Sequence, residues 1–312
     1  MCSSDLVLGY LDADAFMGGQ RPLDRAASDA AMDRLAAKLG LSRDAAAAGV
    51  YRMINLKMAD GIRLTTLRRG VDPRRFTLLS FGGAAGLHCA EVARELEIKR
   101  IVVPTAASVL SAWGMLTSDL RYEVSRTYLD SGKRIQSSEV RALFAELEAQ
   151  AAGRLRAWFD GPMTIQRSAE MRYGEQIFEI DVPLDGLDMD DPELAARIEE
   201  RFHRRHEELY TYASPDQEVV FVNARVAAVG AVTRGNDDVK PSPASAPPRP
   251  KSKRKAFFGA WREVPVYAMD GLAPGHTLEG PAIVEAETTT VVLNDGDRAG
   301  VNELGWLDIR LG

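Results

Sequence analysis

The chain has 312 residues, 46% hydrophobic and 27% charged, with a net charge of −6, which leaves room for two or three domains of ordinary composition. The acidic balance argues against a nucleic-acid surface, which needs a basic face, and no apolar run approaches the ~20 residues of a membrane span. Two cysteines, Cys2 and Cys89, do not make a disulfide framework and suit a reducing cytoplasm.

The opening, MCSSDLVLGYLDADAFMGG, lacks a signal-peptide pattern and enters a strand-like run at 6–11 with no lead-in. Residues 1–5 read as foreign to the rest of the chain and are expected to be unpaired, with 6–11 as the first packed residues. On that reading the chain is the C-terminal part of a longer protein. Residues 24–38 carry a helical spacing with Leu35 and Leu39 on one face. Ser42 can cap a second helix over 43–67, with Val50, Met53, Ile54, Met58 and Ile62 as its apolar stripe, closed by Gly70 and Pro73. A strand at 76–81, a glycine loop, a helix over 87–96 and a strand at 100–104 form a βαβ crossover, so the two strands should be parallel. Residues 107–116 are small and apolar, as in a short packed helix.

The next stretch, LRYEVSRTYLD, reads as a strand. Ser137 or Ser138 starts a helix whose core stripe is Leu143, Phe144, Leu147 and Leu155. Two alternating strands (TIQRSAEMRY and QIFEIDVPL), a helix (PELAARIEERFHRRHEEL) and a long strand (EVVFVNARVAAVGAV) come after it. Residues 235–253 are rich in proline, serine and charge and read as a linker or a long exposed loop. Residues 254–312 carry short strands and suggest a small β module. The resulting division is 1–128, an α/β domain; 129–234, an α+β domain; 235–253, a linker; and 254–312, a β-rich module.

The residues that could carry chemistry begin with Gly82, Gly83, Ala84, Ala85 and Gly86. This loop leaves the C-terminal end of a parallel strand, where open α/β sheets bind ligands, and it opens a helix whose first N–H groups are free. Missing side chains let a ligand approach the backbone; they equally allow tight helix–strand packing. The loop lacks the Lys-Ser/Thr ending of a Walker phosphate loop. His88 can hydrogen-bond a ligand or sit half-buried with a protein partner. His203 and His206 share a helix face, but the charged residues around them suggest a solvated surface rather than a metal pair. Cys89 reads as a small core residue. Ser108 and Ser111 are candidate caps, and KSKRK at 251–255 a solvated linker end.

Several motifs together resemble the hydantoinase A/5-oxoprolinase family, which includes acetone and acetophenone carboxylase β-type subunits. They are Met58-Ala59, Arg69-Gly70-x-Asp72-Pro73-Arg74, Phe81-Gly82-Gly83-Ala84, His88, Pro104, Ser111-Ala112-x-Gly114 and Asp119. Further on, Arg172, Tyr173, Gln176 and Glu179 are similar to its Arg-Tyr-x-x-Gln-x-x-Glu segment. Gly280 to Val284, with Thr288 to Thr290, resembles its Gly-Pro-Ala segment. The resemblance runs from Leu6 to near the end. Ala85 and Ala107 stand where the family commonly has glycine, and Ser3-Ser4-Asp5 stand in place of its Thr-Asp-Ala-Asn.

The resemblance implies an actin/sugar-kinase-like (ASKHA) nucleotide-binding lobe, an α+β domain and the β module. It implies ATP as cosubstrate, with a divalent metal, Mg or Mn, on its phosphates. The loop of Gly82, Gly83, Ala84, Ala85 and Gly86, with His88, would support the adenosine. The phosphate-binding segments of the Asp-x-Gly-Gly-Thr type do not occur in these 312 residues, so the chain alone should be inactive. The implied activity is ATP-dependent opening of a cyclic amide, 5-oxoproline as in glutathione metabolism or a hydantoin, together with a B-type subunit. The alternatives are ATP-dependent carboxylation of a ketone and a non-catalytic lobe that binds a partner. No catalytic residue is assigned.

Overall fold

The computed structural model describes residues 3–67, 70–131, 135–232 and 241–312. The chain begins with helices α1 (Ser3–Val7), α2 (Arg25–Leu39) and α3 (Arg43–Leu67), then strand β1 (Leu78–Leu79), helix α4 (Ala85–Glu95), strand β2 (Arg100–Val103) and helix α5 (Leu110–Thr117). Strand β3 (Leu120–Ser131), helix α6 (Ser137–Arg156), strands β4 (Met163–Tyr173) and β5 (Ile180–Pro183), helix α7 (Leu194–Tyr210) and strand β6 (Val219–Gly230) come next. The last stretch holds β7 (Ser252–Phe257), β8 (Trp261–Ala268), β9 (Thr277–Glu279), β10 (Ala282–Glu285), β11 (Thr290–Leu293), β12 (Arg298–Val301) and β13 (Leu307–Arg310). The chain divides into two units, Met1–Leu116 with Asp237–Gly312, and Thr117–Asn236.

In the first unit β1 and β2 are parallel, with Leu78 opposite Ile101, and α4 is their crossover, as the βαβ reading expects. Strand β13 then pairs antiparallel to β2, with Leu307 opposite Val103, giving the order β1-β2-β13-β12-β9. A second sheet has the order β11-β10-β8-β7. Helix α4 packs its apolar face on both: Ala90, Val92 and Ala93 share one core with Ile101 and Ile309 of the first sheet and Val284 and Val291 of the second. The expected C-terminal module is therefore β-rich but not separate. Its strands complete the sheet that β1 and β2 start, because two short parallel strands cannot bury their own faces. Of the linker or long exposed loop expected at 235–253, the described residues 241–251 form no helix or strand and are mostly exposed, while 252–253 belong to β7. Residues 235–240 lie outside the described residues, and 241–251 run along the unit, with Ala244 N–H donating to Pro274 O (2.9 Å) and Lys251 N–H to Val266 O (2.8 Å).

The N-terminal expectation is overturned. Ser3–Val7 is helical, Ser4 and Asp5 are buried, and the Asp5 carbonyl accepts Tyr10 N–H at 2.9 Å. Residues 8–11 continue as turn and bend rather than strand. Ser42 caps α3, its hydroxyl accepting Ala45 N–H at 3.2 Å. The buried stripe of α3 is Ala47, Tyr51, Asn55 and Ala59; Met53 and Met58 are exposed. Helix α5 forms as expected but is not packed: Met115 and Leu116 are among the most exposed apolar residues.

The second unit begins at 117 rather than 129, because β3 pairs along β6 from Leu120 to Ser131. Its order is β3-β6-β4-β5, all antiparallel. Helices α6 and α7 supply its core, Phe144, Leu147 and Leu155 meeting Ile198, Phe202, Met171 and Phe221. The α6 stripe is the one its spacing predicts.

Candidate functional site

The glycine loop is held at both ends by main-chain bonds. Ser80 N–H donates to Val102 O (2.9 Å) and Gly82 N–H to Ala107 O (2.7 Å), so the loop leaves the sheet beside β2. Gly82 has φ +105°, a conformation L-residues rarely adopt, and open space lies where its Cβ would be. A Cβ on Gly83 would stand 3.2 Å from Thr288 O. Gly86 differs: a Cβ there would stand 2.5 Å from Thr290 O and 2.8 Å from Val291 Cγ2. The loop therefore divides in function. Gly86 is small so that α4 can lie on β11, Gly83 is small where the loop meets the Thr288 carbonyl, and Gly82 has open space beside it.

Gly83 faces a cleft of about 770 Å³. One wall is the loop 11–19, another the end of β10 with its following turn, Glu285 to Thr290. Lys251 and Ala268 to Asp270 complete it. The turn reaches the glycine loop directly: Ser108 Oγ lies 2.5 Å from Thr288 Oγ1, and Thr289 Oγ1 donates to Gly82 O at 3.5 Å. Two segments 207 residues apart in the sequence, at Gly82 and Thr289, both part of the family resemblance, thus meet at one edge.

The cleft is rich in acceptors. Asp12, Asp14, Asp270, Glu285 and Glu287 line it, with Lys251 as the cation among the lining residues. Glu285 is buried and meets Lys251 Nζ at 2.8 Å and Arg254 Nη2 at 2.7 Å; Arg254 also reaches Asp12 at 3.0 Å. Arg254 so ties the loop 11–19 to β10. Hydroxyl and N–H donors suit such a surface; a bare triphosphate does not. Among the described residues no group of three or more His, Cys, Asp or Glu is placed to hold a metal ion.

His88 does not line the cleft. It is buried, its Nδ1–H donating to Asn55 Oδ1 (2.8 Å), its Nε2 4.0 Å from Asp5 Oδ2, and its ring stacked on Tyr51 at 5.1 Å. Burial lowers its pKa below the ordinary imidazole value. The Tyr51 hydroxyl donates to Leu87 O at 2.6 Å. This cluster fixes the start of α4 to α1 and α3, so His88 acts on the loop only from behind it. Ala84 and Ala85, like Gly82 and Gly86, are not cleft-lining residues. Burial pushes the Cys89 thiol up to about 12, as fits an inert core residue.

His206 corrects the reading of α7 as a charged surface. It is fully buried, between Gln176 Nε2 (2.8 Å) and Tyr212 O (2.9 Å), and His203 Nδ1 accepts from the Tyr173 hydroxyl at 2.8 Å. Asp12, Asp14 and Glu285 are site residues that the sequence reading does not single out, and Lys251, read as part of a solvated linker end, lines the cleft instead. The run DADAFMGG, with two carboxylates and two glycines in eight residues, is the signal that could have found the first two.

Residues 2–124 match the hydantoinase/oxoprolinase family and residues 129–310 the hydantoinase/oxoprolinase C-terminal domain. The chain belongs to the hydantoinase/oxoprolinase family. It is 35% identical over 315 residues to the caprolactamase subunit alpha of Pseudomonas jessenii, covering 96% of this chain and 44% of that protein. It is 28% identical over 330 residues to the acetone carboxylase beta subunit of Xanthobacter autotrophicus, covering 97% and 44%. The crystal structure of the ATP-dependent caprolactamase from Pseudomonas jessenii superposes with a TM-score of 0.78 at 32% identity, over 99% of this chain and 46% of that one. A nucleotide-free acetone carboxylase structure shares the mixed α/β fold, with a TM-score of 0.76 at 24% identity. The chain thus spans less than half the length of these hydantoinase/oxoprolinase relatives. No described helix is long and apolar enough to cross a membrane.

Proposed function

We propose that this chain is the C-terminal part of an ATP-dependent hydrolase of cyclic amides, and that its first unit is an actin/sugar-kinase-like lobe holding the adenosine end of ATP. The observation that carries the reading is Gly83, without a side chain, on the wall of an acceptor-rich cleft, next to Gly82 in a left-handed conformation with open space beside it. Base or ribose can approach the loop at Gly83, which has no side chain and lines the cleft, and carboxylates such as Asp14 and Glu287 can accept ribose hydroxyls, as acidic residues do in other nucleotide sites. Lys251 and Arg254 are both engaged by Glu285, so the phosphates and any metal on them find their partners in the longer protein. The 35% identity to a caprolactamase subunit supports a ring amide as substrate.

In the proposed chemistry the amide oxygen takes up the terminal phosphoryl group as ADP departs. One water then adds to the activated carbon, the ring C–N bond breaks as the nitrogen takes up a proton, and a second water hydrolyses the resulting acyl phosphate to carboxylate and phosphate. This chain's residues bind and orient: Arg254 holds the loop 11–19 through Asp12, and the Asp5–His88–Asn55 cluster fixes the helix behind the glycine loop. The partner is a B-type hydantoinase/oxoprolinase subunit, a reading supported by relatives that are named as subunits. The 28% identity to an acetone carboxylase subunit favours ketone carboxylation as the second reading. The test is ADP release by the protein at its relatives' full length, with its B-type subunit, offered 5-oxoproline, hydantoin, caprolactam, or acetone with bicarbonate. Release with a ring amide, matched by ring-opened product, is the expected result; release with the ketone alone would replace the first reading by the second.

A further inference from the structure

Two turns from distant parts of the first unit meet at the glycine loop. One follows β2. Ala107 N–H donates to Pro104 O (3.1 Å) and Val109 N–H to Ala106 O (3.0 Å), which closes this turn, and Ala107 O accepts Gly82 N–H. The other joins β10 to β11. Glu285 pairs with Thr290, and Ala286 N–H donates to Thr289 O (2.8 Å), so Glu287 and Thr288 stand at the tip of a closed hairpin. The tip is held on both sides. Gln20 Nε2 donates to Glu287 Oε1 (3.4 Å), and the Thr288 hydroxyl meets Ser108 Oγ at 2.5 Å. Ser108 follows Ala107 directly, so this hydroxyl pair joins the turn that anchors the glycine loop to the hairpin tip. The carbonyl of the same Thr288 lies 3.2 Å from where a Gly83 Cβ would stand.

The two hydroxyls differ in what they reach. Thr288 lines the cleft, whereas Ser108 is not among the lining residues. A hydroxyl has one donor and two acceptor sites. The bond to Ser108 uses one of the three on Thr288 and leaves the others for a ligand. Threonine is branched at Cβ, with χ1 as its one torsion between heavy atoms. The bond to Ser108 therefore sets the direction of the Thr288 hydroxyl. Thr288 is exposed, so without Ser108 only water would oppose a turn of that torsion. A polar group oriented before binding loses less freedom when the ligand arrives.

We infer that Thr288 is a contact residue for the nucleoside of ATP, and that Ser108 is its positioning residue. The assignment rests on the proposed nucleotide site and names two of its side chains. The experiment uses the protein at its relatives' full length with its B-type subunit and a ring amide. It measures kcat and KM for ATP, and the inhibition constant of AMP against ATP, alongside matched thermal melts. Thr288→Val keeps the shape and removes the hydroxyl. It should raise the KM for ATP about fivefold, the loss of one hydrogen bond, and the inhibition constant of AMP by the same factor. The kcat should hold, because a contact made equally before and during the reaction changes only KM. Thr288→Ser should restore both constants. Ser108→Ala should raise both about two- to threefold, the lower end for one hydrogen bond. The double variant should be no worse than Thr288→Val alone, because Ser108 acts through Thr288. A rise for ATP without one for AMP would overturn the nucleoside contact, and so would AMP that fails to compete in the unsubstituted protein. Unaltered constants in a folded Thr288→Val protein would overturn it too. Losses that multiply in the double variant would overturn the positioning role of Ser108. Gly83→Val keeps the two levels apart: if it impairs ATP use and Thr288→Val does not, the contact falls and the nucleotide site stands. If neither variant alters ATP use, both fall.

Discussion

Gly83 and Gly86 stand three residues apart and serve different ends. At Gly86 the missing side chain makes room for β11; at Gly83 it leaves backbone facing the cleft. His88, early in α4, is buried on Asn55 and Tyr51, and burial holds its pKa below the ordinary 6.5. The unfolded chain takes up a proton near 6.5, while the folded chain takes it up only at lower pH, so stability is complete above that value and falls as pH drops below it. His203, also lowered by burial, acts in the same direction. In His88→Gln one of these two contributions is gone. Its melting temperature should therefore fall less steeply between pH 7 and 5.5 than that of the unsubstituted chain, even though the variant starts lower. Equal slopes would mean that His88 is not held neutral by burial.

Elements were legible where their own spacing carries the signal. The core face of α6, the alternating strand β4 and the long strand β6 stand as read, and so does the parallel pairing of β1 with β2 across α4; the strand read over 176–184 is shorter, Ile180–Pro183. Pairings made at long range left no such trace. The seating of β13 beside β2 joins residues about 200 apart, and nothing local in the last strand marks it. The face of α3 departs from its apolar spacing for another reason: its buried stripe is small or polar because Asn55 and Tyr51 bond to α4, while its methionines stay outside. The cleft itself was half legible, since the glycine loop and Thr288 to Thr290 each carry a motif but their meeting leaves no mark in the sequence. The role of β13 can be checked by removing it. Deleting 307–312 takes Leu307 and Ile309, both fully buried, from the middle of the five-stranded sheet. At ~2–5 kcal/mol for each large side chain lost from a core, the first unit should no longer melt cooperatively. Retention of its cooperative melt, read from the near-ultraviolet signal of Trp261 and Trp306, would restore the separate-module reading.

At the scale of the whole molecule, the first unit carries the cleft. The chain spans less than half of its relatives' length. Its proposed share is the adenosine end of one site, with the phosphoryl chemistry completed elsewhere. Substitution at Gly83 tests that division most directly. A valine there sets its first carbon 3.2 Å from Thr288 O, and both residues line the cleft. ADP release with a ring amide should be measured for the protein at its relatives' full length, with its B-type subunit, with and without Gly83→Val, alongside matched thermal melts. The expected result is a loss of about tenfold or more in kcat/KM for ATP, about 1.4 kcal/mol or more of lost binding, with the melt unchanged. A folded Gly83→Val protein with unaltered ATP kinetics would contradict the account and remove the loop from the nucleotide site.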